Sequence, residues 1–145
     1  MFKKILFLGL ILSLVIIVIG CTPTPPTPKA DLIILSLDPP DVNCGLVGPT
    51  VLCTNSATFT IANVGAADAG PFKVLIQGDP GLAQTKVIPV TGLAAGSTKT
   101  FTAVALPAGG NCYDPDCTMC ITVDSLNEII ESDEGNNNYC ETTIG

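Results

Sequence analysis

Short runs of β-forming residues, separated by turn residues, fill the chain from residue 31 onward. In residues 56–63, Ala57, Phe59 and Ile61 alternate with polar residues, which is the two-residue period of a half-buried strand. Comparable runs occupy residues 31–37, 72–77, 84–90, 97–106, 118–123 and 138–144. About seven short strands with frequent turns predict an all-β fold, an antiparallel sandwich of two sheets. The segment between Cys44 and Cys53 is expected to be a loop.

The first 20 residues have the pattern of a secretory signal sequence. Lys3 and Lys4 form a positive start, and residues 5–19 are an apolar run interrupted only by one glycine and one serine. This run would make roughly 22 Å of helix, which is short for a membrane core of about 30 Å. Gly20 followed directly by Cys21 resembles the lipobox of bacterial lipoproteins. We therefore expect cleavage after Gly20 and lipidation of Cys21; the alternative is an uncleaved N-terminal anchor.

Residues 21–29 predict a spacer between the lipid and a folded domain. Four prolines lie between Thr22 and Lys29, a density that excludes a helix or a central strand and favours an extended segment. The sequence thus predicts a cleaved leader at 1–20, a lipidated cysteine with its spacer at 21–29, and one β domain at 30–145. The lipid on Cys21 would hold that domain at the membrane, in the cell envelope and facing outside the cytoplasm.

Six of the seven cysteines remain once Cys21 is assigned to the lipid. Six cysteines in a small exported domain favour three disulfides. Because short loops cost the least entropy to close, Cys44–Cys53 and Cys112–Cys117 are predicted as local pairs, and Cys120–Cys140 would join the last two strands. The rival arrangement exchanges partners in the C-terminal half and gives Cys112–Cys120 with Cys117–Cys140.

The charge of the exported part excludes one class of partner. Behind the leader, 13 acidic residues stand against four lysines, a formal charge of −9. Such a surface repels phosphate groups, so no nucleic-acid partner is expected. The chain also has no histidine, the usual general base near neutral pH, and no Gly-x-Ser-x-Gly motif. These absences argue against an enzyme.

Four stretches of the chain follow one another in the order typical of a known family. They are Ala30-Asp31-Leu32, residues 59–72 (FTIANVGAADAGPF), residues 93–97 (LAAGS) and residues 123–137, which contain Val-Asp and then IESDEGNN. Together they resemble the CARDB domain, a cell-adhesion-related bacterial module. The resemblance implies an immunoglobulin-like antiparallel β-sandwich. Typical members lack the six cysteines, which here would staple the domain.

The acidic segment before the last predicted strand has two interpretations. Asn and Asp side chains often bond to nearby backbone and hold a long turn, and Asn63 before Gly65 is expected to do the same. Alternatively, hard oxygen ligands could hold a calcium ion, although EF-hand spacing is absent. The candidate calcium ligands are Asp124, Glu128, Glu131, Asp133, Glu134 and Asn136. The sequence indicates no other cofactor.

Three functions stay open at this point. The resemblance implies a membrane-anchored, non-enzymatic module for adhesion, for binding a surface protein or carbohydrate, or for envelope assembly. The second is a metal-binding or redox lipoprotein that uses the Cys-x-x-Cys motif of Cys117 and Cys120, although no second pair with zinc-site spacing accompanies it. The third, an enzyme or enzyme inhibitor, is the least supported because the chain lacks histidine.

Overall fold

A computed structural model describes residues 25–79, 84–107 and 116–144. These residues form eight β-strands and no helix, which confirms the predicted all-β class. The strands are β1 (Leu32–Leu37), β2 (Asp41–Val47), β3 (Thr50–Asn63), β4 (Phe72–Gly78), β5 (Gln84–Val90), β6 (Thr98–Ala105), β7 (Asp116–Thr122) and β8 (Asn138–Ile144). The predicted leader, Cys21 and Cys112 lie outside the described residues. Over the described ranges, no helix is long and apolar enough to cross a membrane.

The first sheet is built around β3, whose 14 residues pair with three strands. β1 and β6 both pair with the Phe59–Ala62 part of β3, so they lie along its opposite edges. β2 pairs with the first half of β3, from Thr50 to Ser56. All three strands run antiparallel to β3. The start of β3, Thr50–Asn55, therefore has β2 as its only strand partner among the described residues.

The second sheet has the order β5-β4-β7-β8, and each neighbouring pair is antiparallel. Alternate residues of β4 are buried, beginning with Phe72, Val74 and Ile76, because that face points towards the first sheet. Met119 and Ile121 of β7 are buried in the same way.

The inward faces of the two sheets share one hydrophobic core. Its fully buried members include Leu32, Phe59 and Ile61 from the first sheet and Phe72, Val74, Ile76, Met119 and Ile121 from the second. The Phe101 ring stacks on Phe59, with ring centroids 4.8 Å apart. Removal of this apolar surface from water holds the sheets together. The predicted two-sheet sandwich is confirmed.

One strand of the structure corrects the sequence analysis. The segment between Cys44 and Cys53, predicted to be a loop, is a β-hairpin in which Val47 and Thr50 pair across a two-residue turn. Gly48 has a φ of 63° in this turn, a left-handed conformation that two-residue hairpin turns require and that glycine adopts without a steric penalty. The hairpin adds β2 and lengthens β3, so the sandwich has eight strands instead of about seven.

β6 also departs from the simple alternation of its sequence. Strict alternation would place Phe101 and Val104 on opposite faces, yet both pack against the core. Ala103 has a φ of 47°, and the pairing of β6 with β3 shifts its register at this point. The N–H of Ala103 donates to Thr58 Oγ1 at 3.0 Å. The extra residue of this β-bulge reverses the facing of the side chains that follow.

Candidate functional site

The two ends of the sandwich differ in chemistry. One end, here called the N-terminal pole, is where residues 25–31 enter the fold; it also contains the 63–67 turn and the 123–137 loop. The other end carries the β2–β3 hairpin, residues 41–55. β3 runs from one end to the other, and its 14 residues at about 3.3 Å each span roughly 40 Å. The predicted spacer and lipid would attach at the N-terminal pole.

Asn63 organises the N-terminal pole and is fully buried. Its Oδ1 accepts hydrogen bonds from the backbone N–H groups of Asp31 and Gly65, both at 3.1 Å. Its Nδ2 donates to the carbonyl oxygens of Ala67 and Leu93, both at 2.9 Å. These four bonds satisfy the whole amide. The expected local turn is confirmed, and the same side chain also fixes the start of β1 and the loop before β6.

Gly65 lies where the chain passes too close to leave room for a side chain. A Cβ at this position would lie 2.5 Å from backbone atoms of Lys29, Ala30 and Asp31. The next two backbone N–H groups donate to the carbonyl oxygen of Lys29 at 2.9 and 3.1 Å. The Asn-x-Gly motif therefore supplies both the amide and the space that dock the N-terminal segment onto the sandwich.

Glu131 holds the N-terminal segment from the other side. It is buried; Oε2 accepts the backbone N–H of Leu32, and Oε1 accepts Asn137 Nδ2 at 2.9 Å. Burial raises the pKa of the Glu131 carboxyl above its ordinary value of 4.5; the two hydrogen bonds oppose this rise, and the charges of Glu134 and Asp124 add to it. A buried carboxyl is thus committed to the backbone of β1.

Further hydrogen bonds complete this attachment. The backbone N–H of Ser132 donates to the Ala30 carbonyl at 2.9 Å, and its Oγ donates to Asp31 Oδ2 at 3.0 Å. Lys29 Nζ donates to the Glu131 carbonyl at 3.2 Å. We call the contacts of Lys29–Leu32 with Asn63, Gly65, Glu131 and Ser132 the N-terminal clamp. None of its long-range contacts has a signal in the local sequence.

Asp124 and Glu128, two of the predicted calcium ligands, stabilise the loop after β7. Asp124 is buried, and its carboxylate oxygens accept the backbone N–H groups of Glu128 and Ile129, each at 2.8 Å. The Glu128 carboxylate forms an ion pair with Lys73 at 2.8 Å. These bonds connect the loop to β4 and leave the two carboxylates facing different partners.

Glu134, Asp133 and Asn136, which were also predicted as calcium ligands, form hydrogen bonds that stabilise the same loop. Glu134 accepts the backbone N–H of Glu131 at 2.9 Å, and Asp133 accepts that of Gly135 at 2.8 Å. Asn136 Nδ2 donates to a carboxylate oxygen of Asp31 at 2.9 Å. Over residues 25–79, 84–107 and 116–144, no three histidine, cysteine or carboxylate side chains form a group that could hold a metal ion. These side chains stabilise the loop through hydrogen bonds, and they do not converge on a common point.

Four of the described cysteines form two cross-strand disulfides. Cys44–Cys53 and Cys120–Cys140, both among the predicted pairs, join directly opposite residues of antiparallel strands, with Cα atoms 4.0 Å apart in each. The second bond is incompatible with the rival pairing. Cys117 is also disulfide-bonded, and Cys112, its predicted partner, lies outside the described residues. In this state neither cysteine of the Cys-x-x-Cys motif offers the thiolate that a metal site or a redox nucleophile needs.

The hairpin at the other end carries apolar side chains outside the core. Leu46 is 79% exposed and Val47 is 60% exposed, and Val51 and Leu52 are exposed as well. No charged residue occurs anywhere between Asp41 and Asp68. Beyond Asp41 at its base, the hairpin is therefore an uncharged projection that carries apolar side chains on an acidic domain.

This architecture is similar to that of known domains. No curated protein matches the chain. The fold is similar to the solution structure of a domain from a candidate cell surface protein of Methanosarcina acetivorans, with 26% identity, a TM-score of 0.55, and 80% of this chain and 91% of that chain covered.

A CARDB domain from Pyrococcus furiosus is also similar. Its solution structure has 18% identity, a TM-score of 0.52, and coverage of 81% of this chain and 96% of that one. The crystal structure of the same domain in complex with di-metal ions has 18% identity, a TM-score of 0.46, and coverage of 80% and 93%. The CARDB family profile matches residues 29–141, from the N-terminal clamp into β8. The chain belongs to the CARDB family.

Proposed function

We propose that this protein is a lipid-anchored, non-enzymatic module of the cell envelope, which presents an immunoglobulin-like domain away from the membrane for adhesion or binding. The observation that carries this proposal is the N-terminal clamp. Asn63 and Glu131 bind the backbone of Asp31 and Leu32 from two sides, at the point where the spacer would join the fold. An anchor attached through Cys21 would therefore pull on a fixed point of the sandwich.

The opposite end of the domain supports the same proposal. The hairpin lies roughly 40 Å from the clamp along β3, so an anchor at the clamp would direct the exposed apolar residues outward. The resemblance of the fold to a domain of a candidate cell surface protein agrees with this placement. The formal charge of −9 behind the leader keeps such a domain soluble outside the cytoplasm.

Replacement of the lipid-accepting residue tests the anchor. We expect Cys21→Ser to move the protein from the membrane fraction to the soluble fraction or to leave it unprocessed, because a serine hydroxyl cannot form the thioether. Thr22→Ser, one position further on, is the matched control and should behave like the wild type. If Cys21→Ser fractionates and migrates like the wild type, the anchor is wrong. Labelling of intact cells with an amine reagent that does not cross membranes tests which side the domain faces.

A further inference from the structure

The five edge strands of the two sheets are not equally protected against pairing with another chain. Natural proteins block such pairing with charged residues, proline and bulges. The protective features are Lys86 and Pro89 in β5, Lys99 and the Ala103 bulge in β6, Glu141 in β8, and a bulge after Ile34 in β1, which also lies beside β8. β2 has no charge, proline or bulge after Asp41, its first residue. Within the described parts of the chain, β2 is the unprotected edge.

The outer edge of β2 also has hydrogen-bonding groups to offer. The Cα atoms of Cys44 and Cys53 lie 4.0 Å apart, the short spacing of a non-hydrogen-bonded pair in an antiparallel ladder. The N–H and C=O groups of Cys44, and of Leu46 two residues on, therefore point away from β3. No other strand of the described residues pairs with this edge. A two-stranded hairpin is marginal by itself, and the disulfide holds it in a form that another strand can join.

The distribution of charge in the domain indicates which strand pairs with the outer edge of β2. The domain is strongly acidic, and five of its 13 acidic residues lie at the N-terminal pole, in the 124–134 loop. Apart from Asp41 at its base the hairpin is uncharged, and antiparallel pairing keeps the two Asp41 residues at opposite ends of the contact, so two copies can approach each other there without bringing acidic groups together. We infer that β2 pairs antiparallel with β2 of a second copy of this chain, so that two domains join end to end through their hairpins.

This pairing has a definite geometry. A two-fold axis perpendicular to the sheet places the Val47 end of each β2 beside the Asp41 end of the other, so the two sandwiches point in opposite directions. The two N-terminal poles would then lie about 60 Å apart on opposite sides. Anchored copies would therefore join two facing surfaces. This last step rests on the proposed anchor, whereas the strand pairing does not.

The small area of the β2–β2 contact indicates that two copies bind each other weakly. Seven residues per strand bury less than the roughly 800 Å² per partner of a stable interface, so one pair is weak. Many copies on two facing surfaces add their contributions, because each bond that forms raises the effective concentration for the next. The effect is therefore expected between membranes and at high surface density.

The test uses the full chain, purified from membranes and reconstituted into two vesicle populations that carry different fluorescent lipids. Fluorescence cross-correlation measures tethering between the populations, and flotation measures retention of the protein separately. We expect tethering only when both populations carry the protein. Leu46→Lys should reduce tethering at least tenfold, because a charge enters the uncharged edge. Leu46→Pro should do the same by removing an outward N–H while leaving the bonds to β3 intact.

Val87→Lys, on the protected edge strand β5, is the matched control and should change tethering less than twofold. Absence of tethering with retained wild-type protein overturns the pairing. Tethering with protein on one population alone also overturns it, because the hairpin would then bind lipid. Loss of the wild-type protein in flotation refutes the anchor alone. Backbone amide signals of the soluble domain are then followed as its concentration is raised. Concentration-dependent shifts confined to β2 that Leu46→Pro abolishes still support the strand pairing, and signals that stay unchanged up to the solubility limit refute it.

Discussion

The carboxylate of Glu131 accepts a hydrogen bond from the backbone N–H of Leu32, which lies 99 positions earlier in the chain. The bond attaches the loop before the last strand to the start of the first strand. Asn63 reaches the neighbouring N–H of Asp31 from the turn after β3. Three distant parts of the sequence thus meet at the place where residues 25–31 join the sandwich, and the stability of this junction can be measured.

Glu131→Ala is expected to lower the free energy of unfolding by about 2–4 kcal/mol, because the variant leaves the buried N–H of Leu32 and the amide of Asn137 without their acceptor. Urea denaturation measures this loss. Glu128→Ala is the matched control; its ion pair with Lys73 is half-exposed and contributes about 0–1 kcal/mol. Equal losses in the two variants would show that the clamp does not stabilise the fold.

The ionisation of the buried Glu131 should make the free energy of unfolding depend on pH. Its raised pKa means that the folded protein holds the proton more tightly than the unfolded chain does. The contribution is fully present below the ordinary pKa of 4.5 and is lost as the pH rises through the raised value. Glu131→Gln cannot ionise, so the wild type should lose stability relative to this variant as the pH rises from 4.5 through the raised pKa of Glu131. Denaturation curves at several pH values check this, and a constant difference or the opposite slope would contradict it.

Gly65→Ala is expected to destabilise the protein by about 3 kcal/mol, because the added methyl group would overlap the backbone of Lys29–Asp31 and push the N-terminal segment out of the clamp. Gly45→Ala is the matched control; a Cβ there meets nothing within 4 Å, and the change should be within about 0.5 kcal/mol. Thermal unfolding of both variants gives the comparison. A tolerated Gly65→Ala would mean that the segment docks less closely than described.

The two described disulfides should contribute differently. Replacement of Cys120 and Cys140 by serine is expected to cost about 3 kcal/mol, since it removes a cross-link within a core sheet. The same change at Cys44 and Cys53 should cost less than about 1 kcal/mol, because a hairpin without its own core can open in the folded state as well, and both states then gain entropy. Its amides should nevertheless exchange much faster with solvent. A larger global loss at Cys44 and Cys53 would place the hairpin within the cooperative core.

The remaining pairing is open to peptide mapping without reduction. Cys117 is disulfide-bonded, and we expect the mapped peptide to join it to Cys112 across a four-residue turn. A peptide that links Cys117 to any other cysteine would contradict the local-closure argument for this pair. Cys112→Ser should then expose a single free thiol at Cys117, which a thiol reagent can count.

Local sequence patterns predict much of this fold, because successive side chains of a strand point to opposite faces of the sheet. Residues 56–63 and 138–144 are strands in the structure as predicted. The same reasoning failed at residues 44–53, where glycine and proline suggested a loop although they occupy only the turn of a hairpin. It also failed after Phe101, since a bulge at Ala103 depends on the partner strand and leaves no mark in the sequence.

Only the local part of the N-terminal clamp could be predicted from the sequence. The role of Asn63 in its own turn follows from the Asn-x-Gly motif, because such side chains bond to backbone two residues on. Its bond to Asp31 and the burial of Glu131 depend on contacts between segments far apart in the chain. A run of acidic residues reads equally well as calcium ligands or as acceptors for backbone N–H groups, and only the fold decides which donors reach them.

The order of β1 and β2 along the chain determines how this domain would respond to mechanical load. A force applied through Lys29 enters β1, and residues 38–40 join the end of β1 to the start of β2 in the hairpin. Both strands pair with β3, which lies beside them and runs in the opposite direction. Tension between the anchor and β2 would therefore run along the covalent backbone at the edge of the first sheet, and the hydrogen bonds to β3 would not have to break for the load to be carried.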